Sequence, residues 1–192
     1  MHFFEMSYND KNIKWYVLIA ANSKVERFCD YLKAAGMEYF YPMSYQERRI
    51  RNSELRTKRI LQPVFKHLLF VKSDKSKLDP ILREIKLDLG ITSDLYYKYW
   101  DEDERKTAVV PAAQMRNFML VVGAVEKPII YLSNGEVNLE KGTSVRIIGG
   151  AFEGIEGIFM KVKGSSRVVV SIPNLLSVAT AFIPTRFIIP LE

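Results

Sequence analysis

Cysteine and histidine are nearly missing from this 192-residue chain: Cys29 stands alone, and His2 and His67 are the only imidazoles. One thiol cannot close an internal disulfide, and so small a donor set disfavours a Cys/His metal cage. Long hydrophobic runs are missing as well. No stretch approaches the ~20 apolar residues of a membrane-spanning helix. The segment from Met1 to Asp10 carries acids and no sustained apolar core, so it does not read as a signal peptide. The simplest expectation is a cytoplasmic protein with no membrane role, no metal and no cofactor. Catalytic signatures are also lacking, with no Gly-x-x-x-x-Gly-Lys-Ser/Thr loop and no Gly-x-Ser-x-Gly elbow. His67 has no nameable partner, and Asp101-Glu102-Asp103-Glu104 is a consecutive run of the kind that more often meets solvent than substrate. No catalytic residue is assigned and an enzyme is not expected.

What is present is an ordinary folding composition, 48% hydrophobic and 26% charged, which excludes wholesale disorder. The length suits one domain or two unequal ones. Net charge is +6, and it is localised. Between Tyr45 and Lys66, seven basic residues face only Glu47 and Glu54, which leaves +5 in 22 residues. Elsewhere the signs nearly cancel. A cation cluster of this kind is what a phosphate backbone requires, because each neutralised phosphate releases condensed counterions. The plainer alternative is a solvated hairpin that keeps the protein soluble.

Along the chain, Trp15 to Ala20 is an apolar run of strand length with neither alternating face polar. A helix follows. Ser23 and Glu26 fit a capping box, Val25, Phe28, Cys29 and Leu32 fall on one face, and Gly36 can close the end. Met37 to Tyr41 predicts a strand, the basic stretch a long hairpin with Arg51 to Glu54 at its tip, and His67 to Val71 a buried strand. A second helix is expected from Lys77 to Leu87 through Leu78, Ile81, Leu82 and Ile85. Gly90-Ile91 and Tyr96 to Trp100 predict another strand, and Pro111 opens a third helix with Met115, Phe118, Met119 and Val122 on one face. This order is an α+β sandwich of one sheet and a helical layer. After Ala124 the texture changes to short Val/Ile runs punctuated by glycines, which predicts a small barrel of about five strands. The expected domains are residues 12–124 and 139–192, joined by a linker at 125–138. Glycines and β-branched runs in the second domain favour strand over helix, so it is expected to be stably β, flexibly tethered, and to leave the first domain uncovered.

Gly142 to Gly157, with Val145 and Ile147 alternating, Phe152 anchoring a loop and Gly154 and Gly157 returning it, closely resembles a KOW motif. Upstream, Trp15-Tyr16-Val17, the first helix, Tyr41-Pro42, the basic hairpin, Pro63-Val64-Phe65, Leu69-Phe70-Val71 and Val109-Val110-Pro111 resemble the N-terminal domain of NusG-type elongation factors in both order and spacing. Glu38 to Pro42, Tyr97 to Trp100 and Arg167 to Ile172 make the chain most similar to the specialised members, RfaH and above all the UpxY antiterminators of capsule operons. The resemblance implies a NusG-like α/β sandwich with an antiparallel-rich sheet, followed by a small SH3-like β-barrel KOW domain. Two positions depart from the pattern. Lys66-His67-Leu68 replaces the usual Pro-Gly-Tyr, and Pro173 stands where an aromatic often follows the last barrel ladder.

The resemblance also implies partners: bacterial RNA polymerase through the clamp helices of its largest subunit, the non-template DNA strand, and a ribosomal protein or Rho through the KOW domain. Phe65 matches the polymerase-facing aromatic, Ile19 and Phe70 match neighbouring positions, and Arg27 lies beside them. For Phe65, Ile19 and Phe70 the alternative is core packing, and for Arg27 plain solvation. Tyr31 matches a position that contacts the non-template strand, and Lys24 lies beside it off the apolar stripe. Arg48, Arg49, Arg51, Arg56, Lys58 and Arg59 form the nucleic-acid group of the hairpin, with an ordinary solvated face as the alternative. The expected function is a transcription elongation and antitermination factor for long operons such as polysaccharide biosynthesis. The alternatives are a KOW-type RNA-binding or ribosome-associated protein without a polymerase role and, more remotely, a nuclease or other hydrolase.

Overall fold

A computed structural model of the chain describes residues 13–21, 24–49, 57–91, 93–123, 129–132, 138–172 and 175–191. The elements run β1 (Lys14–Ala20), α1 (Val25–Ala34), β2 (Glu38–Phe40), β3 (Met43–Arg49), β4 (Thr57–Pro63), β5 (Leu68–Ser73) and α2 (Lys75–Asp88). Next come β6 (Leu95–Tyr97), β7 (Tyr99–Asp101), β8 (Lys106–Thr107), β9 (Val109–Val110) and α3 (Ala112–Gly123). The remainder is β10 (Ile130–Leu132), β11 (Thr143–Ile147), β12 (Glu156–Val162), β13 (Ser165–Ile172), β14 (Leu176–Ala179) and β15 (Ile188–Pro190). Among the described residues no helix is long and apolar enough to cross a membrane. The chain divides into two compact units. The first holds Met1–Phe40 and His67–Val109, the second Tyr41–Lys66 and Val110–Glu192.

The first unit is built on an antiparallel sheet with the path β2-β5-β1-β6. β1 is a central strand, pairing Val17 with Phe70 and Leu18 with both Leu69 and Tyr97. Four consecutive residues, Trp15 to Leu18, are buried, so both of its faces are covered. α1 contributes Val25, Phe28, Cys29 and Leu32 to the core, as its 3.6-residue spacing predicts. It starts with Lys24 at the N-cap and no side-chain cap bond, and the expected cap Ser23 lies outside the described residues. Its C-terminal end closes as expected: Gly36 adopts φ +65°, its N–H donates to Lys33 O at 3.0 Å, and Met37 N–H donates to Leu32 O at 2.8 Å. A left-handed residue satisfying two orphan carbonyls favours glycine there.

α2 begins two residues earlier than expected, because Asp74 Oδ1 accepts from Ser76 N–H at 2.7 Å and caps it. Those bonds from Ser76 hold the Asp74 carboxyl below its ordinary pKa. Leu78, Leu82 and Ile85 are buried, while Pro80 lies inside the helix. Gly90-Ile91 is not a strand but the closing turn of α2, where Ile91 N–H donates to Lys86 O at 2.9 Å. The aromatic run is broken into β6 and β7 at Lys98, and β7 pairs with β8 across a register shift.

In the second unit β3 and β4 form a two-stranded hairpin from Met43↔Pro63 to Arg49↔Thr57. The C-terminal region is a six-stranded antiparallel sheet, β10-β14-β13-β12-β11-β15. About five strands were expected. The sixth, β10, comes from the segment expected to be a linker, where Leu132 buries itself with Val162, Val169 and Ala179. Gly157 allows β12 and β13 to approach, since a Cβ there would lie 2.5 Å from Val169 O. Ile147 N–H donates to Ile155 O at 2.9 Å and Gly154 N–H to Ile147 O at 2.7 Å, closing a loop anchored by buried Phe152.

α3 lies against β13, β14 and β3. Contact with several elements explains why Asn117 and Val121 are buried alongside Met115, Phe118 and Val122, whereas Met119 is only half-buried. Asn117 Nδ2 donates to Glu156 O at 3.3 Å. The hairpin and α3 therefore group with the C-terminal sheet in one compact unit.

Candidate nucleic-acid interface

Antiparallel pairing turns the basic stretch into a two-sided ribbon. Arg48 stands opposite Lys58 and Glu47 opposite Arg59. Lys58 and Arg59 are exposed. Arg48 and Arg49 belong to β3, while Arg51, Arg56 and the expected tip lie outside the described residues.

On the other side of the ribbon, the Arg59 guanidinium lies over the Tyr45 ring, 4.9 Å from its centroid, with Tyr45 46% exposed. An accessible aromatic with a cation on it combines base stacking with phosphate attraction. Tyr45 was missed at the level of sequence. Its pairing with Arg59 depends on the hairpin register, which brings together residues 14 positions apart, and no local pattern signals it.

Phe65 follows β4 directly. Val64 N–H donates to Pro42 O at 2.9 Å, and Tyr41 Oη donates to Lys66 O at 3.4 Å, so Tyr41-Pro42 pins both sides of the phenylalanine. Its half-buried ring meets Tyr131 edge-on, with centroids 5.7 Å apart at 89°. Burial raises the Tyr131 phenol above its ordinary pKa. The Tyr131 ring of β10 thus lies against Phe65, for which the sequence left polymerase contact and core packing both open.

The remaining expected residues belong to the first unit. Ile19 is half-buried in β1, between Leu68 and Tyr96. Phe70 is fully buried, 6.3 Å from Phe40 between ring centroids, and has no surface to offer a partner in this structure. Lys24, Arg27 and Tyr31 share a side of α1 away from its core stripe. Arg27 is exposed and Tyr31 half-buried. Lys24 is committed to Asp94, with Nζ 2.6 Å from Oδ2, so a phosphate would have to compete with that carboxylate.

Compared with known families, residues 13–129 match the profile of the family described as Transcription termination factor nusG. No individual curated protein matches the chain.

Proposed function

The chain belongs to the NusG family of transcription elongation and antitermination factors, which act without catalysis, and on that premise we propose that it binds RNA polymerase and suppresses pausing or termination. We place it with the operon-specific members of UpxY and RfaH type, serving long operons such as those for polysaccharide biosynthesis. The observation that carries this reading is the hairpin. It concentrates cations in opposed register beside an exposed Tyr45–Arg59 stack, which suits the single-stranded DNA of an elongation complex. Phe65, pinned by Tyr41 and Pro42, is the contact for the clamp helices, and Ile19 and Arg27 are the further candidates in the first unit. Phe70 supports the surface from within. Tyr31 is a second DNA contact, and Lys24 joins it once released from Asp94. A ribosomal protein or Rho would be met by the C-terminal sheet, which exposes Phe182, Ile148 and Ile189.

Such a factor works by differential affinity. Binding the elongating state more tightly than the paused state shifts the population, and tenfold preference corresponds to about 1.4 kcal/mol. A pull-down with core RNA polymerase at moderate salt tests the proposal. Retention is expected, with loss in a Phe65→Asp variant that still unfolds cooperatively. No retention would overturn it and favour the reading as an RNA-binding or ribosome-associated protein.

A further inference from the structure

Lys24 at the start of α1 and Asp94 just ahead of β6 are 70 residues apart in the chain and paired in space. Lys24 Nζ lies 2.6 Å from Asp94 Oδ2. Main-chain bonds fix both ends of the pair. Ala21 N–H donates to Asp94 O at 2.8 Å, and Lys24 N–H donates to Ala21 O at 2.9 Å. The backbone thus presents the carboxylate to the ammonium, and pairing them sacrifices less freedom than joining two loose surface side chains. The two side chains are 32% and 37% exposed, so a competing anion can reach them.

Lys24 has the wrong sign for its position. It is the N-cap of α1, where the helix dipole is positive and a carboxylate is favoured. Asp94 supplies that negative charge from a distant part of the chain. Arg27 and Tyr31 follow Lys24 at three and seven residues, on the same side of α1 and off its core stripe. Arg27 is exposed and Tyr31 half-buried. Without Asp94, this side of the helix would present two free cations beside an aromatic. With it, one of the two is already neutralised.

We propose, resting on the DNA contact assigned above to this side of α1, that Asp94 is a built-in competitor for phosphate. It holds Lys24 neutralised, and the outer side of α1 gains its full charge only when a phosphate displaces the carboxylate. An opposing element of this kind sharpens specificity, because any anion that binds must first release a pair already made. A strand held nearby by other contacts has the effective concentration to do so, and a passing polyanion does not. A purely structural Asp94 predicts something else: its loss would weaken the start of α1 and bring no gain in affinity for nucleic acid.

The test uses the full-length chain with the six hairpin cations changed to Ala, so that α1 is read without them. A short single-stranded DNA is titrated while amide NMR follows Lys24, Arg27 and Tyr31. Asp94→Asn is expected to tighten binding about threefold, the scale of one partly exposed ion pair. It should also steepen log affinity against log salt by about 0.7, the contribution of one single-strand phosphate. In the Asp94→Asn background, Lys24→Ala should erase the gain, and Asp94→Glu, which keeps a carboxylate, should show none. Equal affinity in Asp94→Asn would overturn the proposal. A gain that survives Lys24→Ala would overturn it too, since that gain reflects only the loss of one negative charge. Asn keeps the main-chain carbonyl that holds Ala21, and melting temperatures check that the variants remain comparable. If the amides shift in neither the parent nor Asp94→Asn, the DNA contact on α1 and its control both fail. Polymerase pull-down remains an independent readout of the family role.

Discussion

The β1–β5 ladder and the β3–β4 hairpin are both antiparallel strand pairs of similar length. In the first, Trp15 to Leu18 and Leu68 to Val71 are buried, and each large apolar side chain contributes ~1.5–3 kcal/mol by leaving water. In the second, Tyr45, Lys58, Arg59 and Leu61 are exposed, and Arg48 faces Lys58 across the ladder. A pair buried on both faces leaves almost no position free for charge. A two-stranded ribbon contributes little to the core, so its positions are open to selection for binding. Stability and recognition are separated in this molecule by which strands carry them.

Substitutions can break or sharpen that contrast, and their effects on stability should fall in a definite order. The largest loss is expected from Phe70→Ala, about 3–5 kcal/mol by urea unfolding, since a fully buried ring leaves a cavity. A loss near ~0.5 kcal/mol, the surface range, would return Phe70 to the contact surface and break the comparison. Next is Thr180→Val in the C-terminal sheet. The Thr180 hydroxyl accepts from Val168 N–H at 3.1 Å and donates to Ala181 O at 2.8 Å, so losing it leaves a buried donor unpaired, at about 1–3 kcal/mol.

Replacing Arg48, Arg49, Arg51, Arg56, Lys58 and Arg59 by Ala should leave the melting temperature nearly unchanged while sharply weakening DNA binding at low salt. The deficit should narrow as salt rises, because counterion release is the lost contribution. Affinity unchanged at every salt concentration would remove the phosphate role. The smallest effect belongs to Cys29. Burial pushes its thiol up to about 11, so the folded protein keeps it neutral at pH 8 and a maleimide should label it only after unfolding. Because the folded pKa is raised, Cys29 begins to oppose folding only as the pH climbs through the ordinary thiol value. Rapid native-state labelling at pH 8 would contradict its placement.

Much of the first unit was legible from local pattern. Val25, Phe28, Cys29 and Leu32 announce one buried helix face, and the apolar run at Trp15 a strand covered on both sides. Asp74 and Ser76 carry the signal for the start of α2, yet the apolar spacing alone places that start at Lys77. Ile130-Tyr131-Leu132 is too short to separate from linker by pattern, and its partner Ala179 lies 49 residues away from Ile130. Asn117 and Val121 are buried because α3 touches several elements at once, which a search for a single apolar stripe does not anticipate.

Among the candidate sites, the cation cluster and Phe65 stand out in sequence, and Tyr45 does not. The chain's own sequence determined where charge is concentrated, which segments are amphipathic, and which glycines can close helices, since these depend on neighbours within a few residues. Only the tertiary structure decided that Arg48 stands opposite Lys58, that Arg59 lies on Tyr45, and that Tyr131 packs on Phe65. Each of those pairs is separated by ten or more residues. Register and packing are set by which buried surfaces fit together across the fold, and a one-residue slip in a strand would send every side chain to the opposite face.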